Sequence, residues 1–257
     1  MVQNGLKKNF QNKTKTIMKY YFITGTSRGI GKSLAEILLN DKNNKVTGIS
    51  RTSTIKHKNY NHIITDLSNL DDTESIFFPD IENATEIVLI NNSGILSKIK
   101  RMGKLKNKDI INDYNVNIIS PSILINNFIK KYQNYNNKRT VLNISSGAGR
   151  HTIDAWSVYC ASKSALDMFS ENIKLEQSFY PKENRITIFS VAPGVIDTKL
   201  QNKIRESKKE DFSELEKFVS LKKNNELASP DDTAKLLLQI VNNRNNYNNV
   251  ILDVRNL

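Results

Sequence analysis

Residues 20–31 read Tyr20-Tyr21-Phe22-Ile23-Thr24-Gly25-Thr26-Ser27-Arg28-Gly29-Ile30-Gly31. An apolar run of strand length stops at Thr24, glycines follow at Gly25, Gly29 and Gly31, and helical periodicity begins near residue 30. Glycines at a strand-to-helix turn let the backbone come close to a pyrophosphate. They also aim the amides of a helix N-terminus at it, where the helix dipole favours negative charge. Taken alone, the segment is equally compatible with a glycine-rich turn that binds nothing, so the rest of the chain must carry the reading.

Outward from this turn the same alternation repeats. Apolar, β-branched runs recur at 45–50, 62–65, 87–91, 139–145, 185–192 and 250–254, with helical patterns at 30–40, 70–78, 108–133, 155–179 and 229–243 between them. The last helix opens on Ser229-Pro230-Asp231-Asp232, an N-cap, a proline at the first helical position and two acids at the positive end of the dipole. About seven near-continuous apolar strands alternating with helices predict an α/β fold: a single doubly wound parallel sheet, the Rossmann arrangement, with helices on both faces and a crevice beyond the carboxyl ends of the strands.

Composition narrows the class. The chain has 257 residues, 38% of them hydrophobic, and 38 Lys+Arg against 26 Asp+Glu, a formal charge of +12. That is a globular composition and suits one large domain. Residues 1–18 are polar and aperiodic and predict a disordered arm, with the folded domain at 19–257; Met18 is an alternative translation start. With Cys160 as its one cysteine, a single chain closes no disulfide and builds no thiolate zinc site, which fits a reducing cytoplasm. No apolar stretch is long enough to span a bilayer, and no signal peptide is evident, so no membrane role is expected. The basic run Lys98, Lys100, Arg101, Lys104, Lys106 and Lys108 has no interleaved aromatics for base stacking; it reads as a solvated loop and no nucleic-acid partner is expected. His57, His62 and His151 have no metal-ligand spacing, so no metal site is predicted.

Further motifs stand at the later strand ends. Asn91-Asn92-Ser93-Gly94 closes the fourth strand; Asn117, Ser146, Tyr159 and Lys163 follow; and Pro193-Gly194-Val195-Ile196-Asp197-Thr198 comes after the sixth. In this order they resemble the short-chain dehydrogenase/reductase family over residues 18–257. Asn92-Ser93-Gly94 stands in its NNAG motif with serine for alanine, Asn117, Ser146, Tyr159 and Lys163 in its tetrad, and 193–198 in its PG-x3-T segment. The overall run of segments, especially Tyr20–Ala35, Ile49-Ser50-Arg51 at the end of the second strand and Ile251–Val254, resembles the sepiapterin-reductase-like and benzil-reductase branch, which reduces aromatic 1,2-diketones and related dicarbonyls to hydroxyketones.

The residue types support the chemistry on their own account. Tyr159 and Lys163 stand at i and i+4 in a helical pattern and share one face. Lowering a phenol from about 10 by roughly 3 units needs about 4 kcal/mol, which a nearby desolvated ammonium and an oxidised nicotinamide are expected to supply. The tyrosine is then a general acid for carbonyl reduction. The resemblance implies that Ser146, at the end of a predicted strand, holds the substrate oxygen, with Ser145 the neighbouring candidate because alternate strand residues face opposite sides. The resemblance implies that Asn117 interrupts a helix and holds a water linked to Lys163; Asn115 is its competitor.

The cofactor site comprises Gly25, Thr26, Ser27, Arg28, Gly29, Ile30, Gly31, Arg51, Asp66, Asn92, Ser93, Gly94, Tyr159, Lys163, Pro193, Gly194, Val195, Ile196 and Thr198. The second strand ends on Ser50-Arg51, where an NAD enzyme places an acid; Arg51 and Arg28 together suit a 2′-phosphate, so NADP(H) is expected. Asp66 reads either as an adenine contact or as a helix cap. Cys160 reads as a small buried hydrophobe rather than a redox switch, and His151 and Trp156 are candidates to border the pocket. The resemblance makes 199–223 a lid over the substrate, the alternative being a helix pair against a partner subunit. It also implies a homodimer or homotetramer paired through the helices at 108–133 and 155–179. A binding protein that senses the dinucleotide without turnover is the rival function.

Overall fold

The computed structural model describes residues 18–257; the predicted disordered arm and the alternative start concern residues outside or at the edge of this range. Seven strands, β1 (Met18–Thr24), β2 (Asn44–Ser50), β3 (Tyr60–Ile64), β4 (Ala84–Asn91), β5 (Lys138–Ile144), β6 (Thr187–Ala192) and β7 (Ile251–Asp253), form one sheet in the order β3-β2-β1-β4-β5-β6-β7. Every neighbouring pair is parallel. The order reverses between β1 and β4, and a ligand crevice is expected at that switch point.

The alternation of side chains along the strands explains why helices cover both faces. Tyr21, Ile23, Val88, Ile90, Leu142 and Ile144 point to one side, where Leu34, Leu38 and Ala35 of α1 (Gly29–Leu39) and Leu237 and Val241 of α8 (Pro230–Asn242) pack on them. Their sequence neighbours Phe22, Ile87, Leu89 and Val141 face the other side, against Leu124, Phe128 and Tyr132 of α4 (Ser120–Tyr132) and Ile173 of α5 (Ser157–Ser178). Buried on both faces, the strands read as unbroken apolar runs.

Two helices differ from the periodicity. The pattern at 70–78 yields only α2 (Leu70–Glu74), because Pro79 disfavours helix just before it and Ile76, Phe78 and Ile81 are drawn into the core beneath the sheet. The continuous pattern at 108–133 is α3 (Asn107–Tyr114), one turn of π-helix at Asn115–Ile119, and then α4. The segment at 199–223 contributes two short helices, α6 (Lys199–Arg205) and α7 (Leu215–Lys223). No helix among the described residues is long and apolar enough to cross a membrane.

Candidate active site

The carboxyl ends of β1 and β4 are stitched together. The Thr24 hydroxyl accepts from the amides of Asn92 and Ser93, both at 2.9 Å, and Asn92 Nδ2 donates to the Thr24 carbonyl at 2.9 Å. The glycine turn rests on this knot. Gly25 has φ +78°, and a Cβ there would stand 2.9 Å from Asn92 Nδ2; a Cβ on Gly31 would overlap both that amide and the Gly25 carbonyl. These glycines are therefore required by contact, not only by flexibility. The N-terminus of α1 has no side-chain cap and no acid in its first turn, leaving its amides available to an anion.

The turn opens into a crevice of about 1560 Å³, lined by every predicted site residue except Thr26, Gly31 and Asn117. Thr26 is fully buried below the turn, where its hydroxyl shares a 2.9 Å hydrogen bond with Tyr60 OH. Tyr60 OH in turn meets His62 Nδ1 at 2.7 Å, and His62 Nε2 meets the Ser50 carbonyl at 3.0 Å. The chain of bonds ties the glycine turn to the end of β2, just before Arg51. Gly48 permits it, since a Cβ there would collide with Tyr60 OH and Thr26 Oγ1. Neither Gly48 nor Tyr60 stood out in the sequence; the smallness of Gly48 within an otherwise apolar strand was the available signal.

Arg28 and Arg51 both line the crevice, and Arg51 lies 3.9 Å from Asp66. Asp66 Oδ1 accepts from the amide and hydroxyl of Ser68, at 3.0 and 2.8 Å, so it closes a turn; the helix cap of α2 is Asn69. The cradle of glycines, free amides and flanking guanidinium groups fits a phosphorylated dinucleotide.

Tyr159 and Lys163 lie on α5, one turn apart, with the Lys163 ammonium 5.9 Å from the Tyr159 ring centre. Lys163 Nζ donates to the Ile144 carbonyl at 2.8 Å, and a Cβ on Gly94 would come within 3.4 Å of it. Ser146 begins a short 3₁₀ turn and accepts from the Ala148 amide at 3.2 Å. Asn117 sits in the π-turn, completely buried; its Oδ1 accepts from Ile95 N and its Nδ2 donates to Ile95 O, each at 2.8 Å, with a further bond to Ser162 Oγ at 3.2 Å. Its side chain is thus committed to the irregular segment following Gly94, so a water held here would rest on main-chain groups. Asn115 donates instead to the Ser68 carbonyl. Ser145 is buried and its hydroxyl has no partner among the described residues.

The electrostatics differ from the sequence expectation. Burial pushes the Tyr159 phenol up to about 12, against a lowering by a hydrogen bond with Ser146. Burial also brings the Lys163 ammonium down to about 8, against the opposing charge of Asp167. Both groups occupy a dry site in which either charge is disfavoured, and desolvation outweighs their mutual influence.

The outer wall comes from 199–223. Leu200, Ile204, Phe212, Leu215, Phe218 and Leu221 join Trp156 and Tyr159 in one apolar cluster, and the segment stands over the crevice. His151 and Trp156 border the crevice as expected. Cys160 packs on the cluster's edge with its thiol pushed up by burial, consistent with a small hydrophobe. Among the described residues no group of three or more metal-ligating side chains converges.

Residues 19–209 match the short chain dehydrogenase family. The chain belongs to that family. Its benzil reductase relative from Bacillus subtilis, described as forming (S)-benzoin, is 36% identical over 93% of this chain and 99% of the relative; that from Bacillus cereus is 35% identical over 87% and 94%. A solved short-chain dehydrogenase/reductase from Saccharomyces cerevisiae superposes with a TM-score of 0.75 at 23% identity, over 92% of this chain and 96% of that one, which bears on the fold. The family assignment makes the chain an oxidoreductase of the carbonyl/alcohol couple that uses a nicotinamide cofactor.

Proposed function

We propose that this dehydrogenase is an NADPH-dependent carbonyl reductase whose substrates are aromatic 1,2-diketones. The observation that carries the reading is the convergence of Tyr159, Ser146 and Lys163 at the floor of a crevice whose other end is the glycine turn with Arg28 and Arg51. The benzil reductase relatives supply the substrate class. A bound NADPH supplies the hydride for the carbonyl carbon. Ser146 holds the carbonyl oxygen and Tyr159 gives it a proton, so that C=O becomes CH–OH and the phenolate left behind is reprotonated by way of Lys163 and the main chain around Asn117. A phenol near 12 is a competent donor in this direction but a poor base, so running backwards requires the positive charge of an oxidised nicotinamide to lower it. Thr26 and Gly31 serve the nucleotide from below, as supports of the turn, while Ser27, Gly29, Ile30, Asn92, Ser93, Gly94 and the Pro193–Thr198 segment border it.

Pairing of two or four chains through the helices at 108–133 and 155–179 is part of the same proposal, supported by the exposed Ile111 and Ile119 in the first segment and Met168, Leu175 and Phe179 along α5 and its C-cap. The test is oxidation of NADPH with benzil in the wild type and in Tyr159→Phe. The expected result is a kcat/KM that favours NADPH over NADH and falls by about 10²–10⁴-fold in the variant, with nucleotide affinity retained. Nucleotide binding with no turnover on any diketone would favour a sensor, and a preference for NADH would overturn the roles given to the two arginines.

A further inference from the structure

The proposed reaction uses Tyr159, Ser146 and Lys163 and leaves one buried ionisable group beside them without a part. Asp113, near the end of α3, is 4% exposed. Its carboxylate accepts from the Ser97 amide at 3.1 and 3.2 Å and from the Ser97 hydroxyl, to which Asn112 Nδ2 donates at 3.2 Å. One turn further along the chain, Asn117 makes its pair of bonds to Ile95. The two side chains therefore clamp alternate residues of the irregular segment after Gly94. Burying a carboxylate for that purpose is costly enough to call for a reason.

The residue between the clamps says what is being held. Leu96 is 2% exposed, packs in the apolar cluster with Trp156 and Tyr159, and borders the crevice. Asp113, Leu96, Trp156 and Tyr159 line a common cavity of about 10 Å³, so the carboxylate and the proton donor face the same small space. The charged and titratable groups around the pair are few. Lys203 of α6 and Asp109 of α3 face Asp113, and Lys98 lines the cavity; Ser146, Cys160 and Lys163 face Tyr159. Burial raises the Asp113 carboxyl, and the bonds from Ser97 and the charge of Lys203 oppose that rise, which holds the group as an anion. An anion facing a phenol disfavours the phenolate. Burial is the main cause that raises the Tyr159 phenol, and the charge of Asp113 adds to it.

We infer that Asp113 is a positioning residue for the proton transfer: through Ser97 it fixes Leu96 against Tyr159, and its negative charge, facing the phenol across their shared cavity, keeps the donor protonated. The inference rests on the carbonyl-reductase reading above. It also gives the buried carboxylate a reason: each reduction leaves a phenolate, and a fixed anion beside it drives reprotonation before the next turnover.

The experiment follows the Tyr159 phenolate by its ultraviolet absorbance in the NADP⁺ complex, each protein being referred to its own Tyr159→Phe counterpart. Asp113→Asn keeps the shape and an oxygen for the Ser97 amide but removes the charge. Its phenolate midpoint is expected to fall by about one pH unit, and the acidic limb of benzoin oxidation, where Tyr159 acts as base, to move with it. The Tm of this variant is expected to hold or rise, because a desolvated charge has gone. Ser97→Ala keeps the charge and gives up part of the clamp; there the KM for benzil is expected to rise with the midpoint in place, and an unchanged KM overturns the clamp. An unmoved midpoint in Asp113→Asn overturns the role of the charge, and a fall in Tm with the midpoint unmoved marks a structural residue. Should Asp113→Asn fail to fold, Lys203→Met carries the test: with a cation that faces Asp113 removed, the midpoint is expected to rise, and no movement overturns the assignment. A wild type that binds NADP(H) but turns over neither benzil nor benzoin removes the reductase reading, while the titration still decides what Asp113 does to Tyr159.

Discussion

Below the crevice, the Thr24 hydroxyl accepts from two amides, Asn117 spends both ends of its carboxamide on Ile95, and Lys163 is held by the Ile144 carbonyl. Above it, Gln201 and Trp156 have no partners, and Arg205 Nη1 is also buried without one. Asn117 and Lys163 on one side and Gln201 and Trp156 on the other are all buried. The difference is that the floor closes its hydrogen bonds internally, so its geometry exists before any ligand arrives, whereas the roof buries polar atoms without partners among the described residues. Preorganised donors suit the part of an enzyme where charge develops.

The contrast is broken most severely at Asn117. Asn117→Leu leaves the half-buried amide and carbonyl of Ile95 without their side-chain partner and puts an apolar group among Ile95 and Ser162, a loss of about 2–5 kcal/mol in stability. At about 2–4 °C per kcal/mol, the Tm should fall by roughly 10 °C. Activity at a permissive temperature should fall with it, because Gly94 and Lys163 lose their fixed spacing. Differential scanning calorimetry and steady-state rates check both. A Leu substitution at Gln201, the same change of side chain on the roof, is expected to leave the Tm where it was or raise it. Equal losses at the two positions would remove the distinction between floor and roof.

How much of this was legible in residues 20–31 and their counterparts depends on whether a role is local. The glycine turn, the i, i+4 pair Tyr159 and Lys163, and the alternation of apolar runs are local patterns, and they were sufficient for sheet, switch point and crevice. The π-turn at 115–119 was not readable, because one widened turn hardly disturbs the apolar periodicity of 108–133. Resemblance placed Asn117 at a helix interruption; it did not disclose that the side chain would be consumed by Ile95. The rise of the Tyr159 phenol was hidden for a similar reason: an i, i+4 ammonium is visible in sequence, while the burial that raises the phenol arises from Trp156, Ala148 and the distant 199–223 segment. Gln201 in sequence is one polar residue among many on an amphipathic helix.

Charge on the floor sets the next largest effect. Lys163 falls from 10.5 to about 8 on folding, so between those pH values the unfolded chain binds more protons than the folded one. Its burial penalty is therefore complete below about 8, shrinks as pH rises from about 8 toward 10.5, and is gone above 10.5. Tyr159 moves the other way, from 10.0 to about 12; its contribution is present below 10.0 and lost as pH rises through about 12. In Lys163→Met the first dependence disappears. The Tm of the wild type relative to that variant is expected to rise between pH 7 and 9, by an amount corresponding to at most about 3 kcal/mol. A difference that stays flat over that interval would show that the ammonium is paid for by a partner absent from its present surroundings.

The smallest expected effect tests whether internal closure also governs the nucleotide end. Tyr60 OH joins Thr26 under the glycine turn to His62, which reaches the Ser50 carbonyl beside Arg51. Tyr60→Phe removes the central hydroxyl and keeps the ring. Thr26 Oγ1 then loses its partner on β3, and the turn and the Arg51 segment are no longer held in one register. One hydrogen bond of about 0.5–1.5 kcal/mol, transmitted only in part, corresponds to a rise of roughly two- to fivefold in the KM for the nucleotide. Because neither group touches the reacting atoms, kcat should stay at its wild-type value. Burial raises the Tyr60 phenol, so it remains a neutral donor across the ordinary pH range and the effect should not vary with pH. A fall in kcat with unchanged KM would mean that the network acts on the chemistry at the far end of the sheet, and the separation between a preformed nucleotide cradle and an independent catalytic floor would have to be given up.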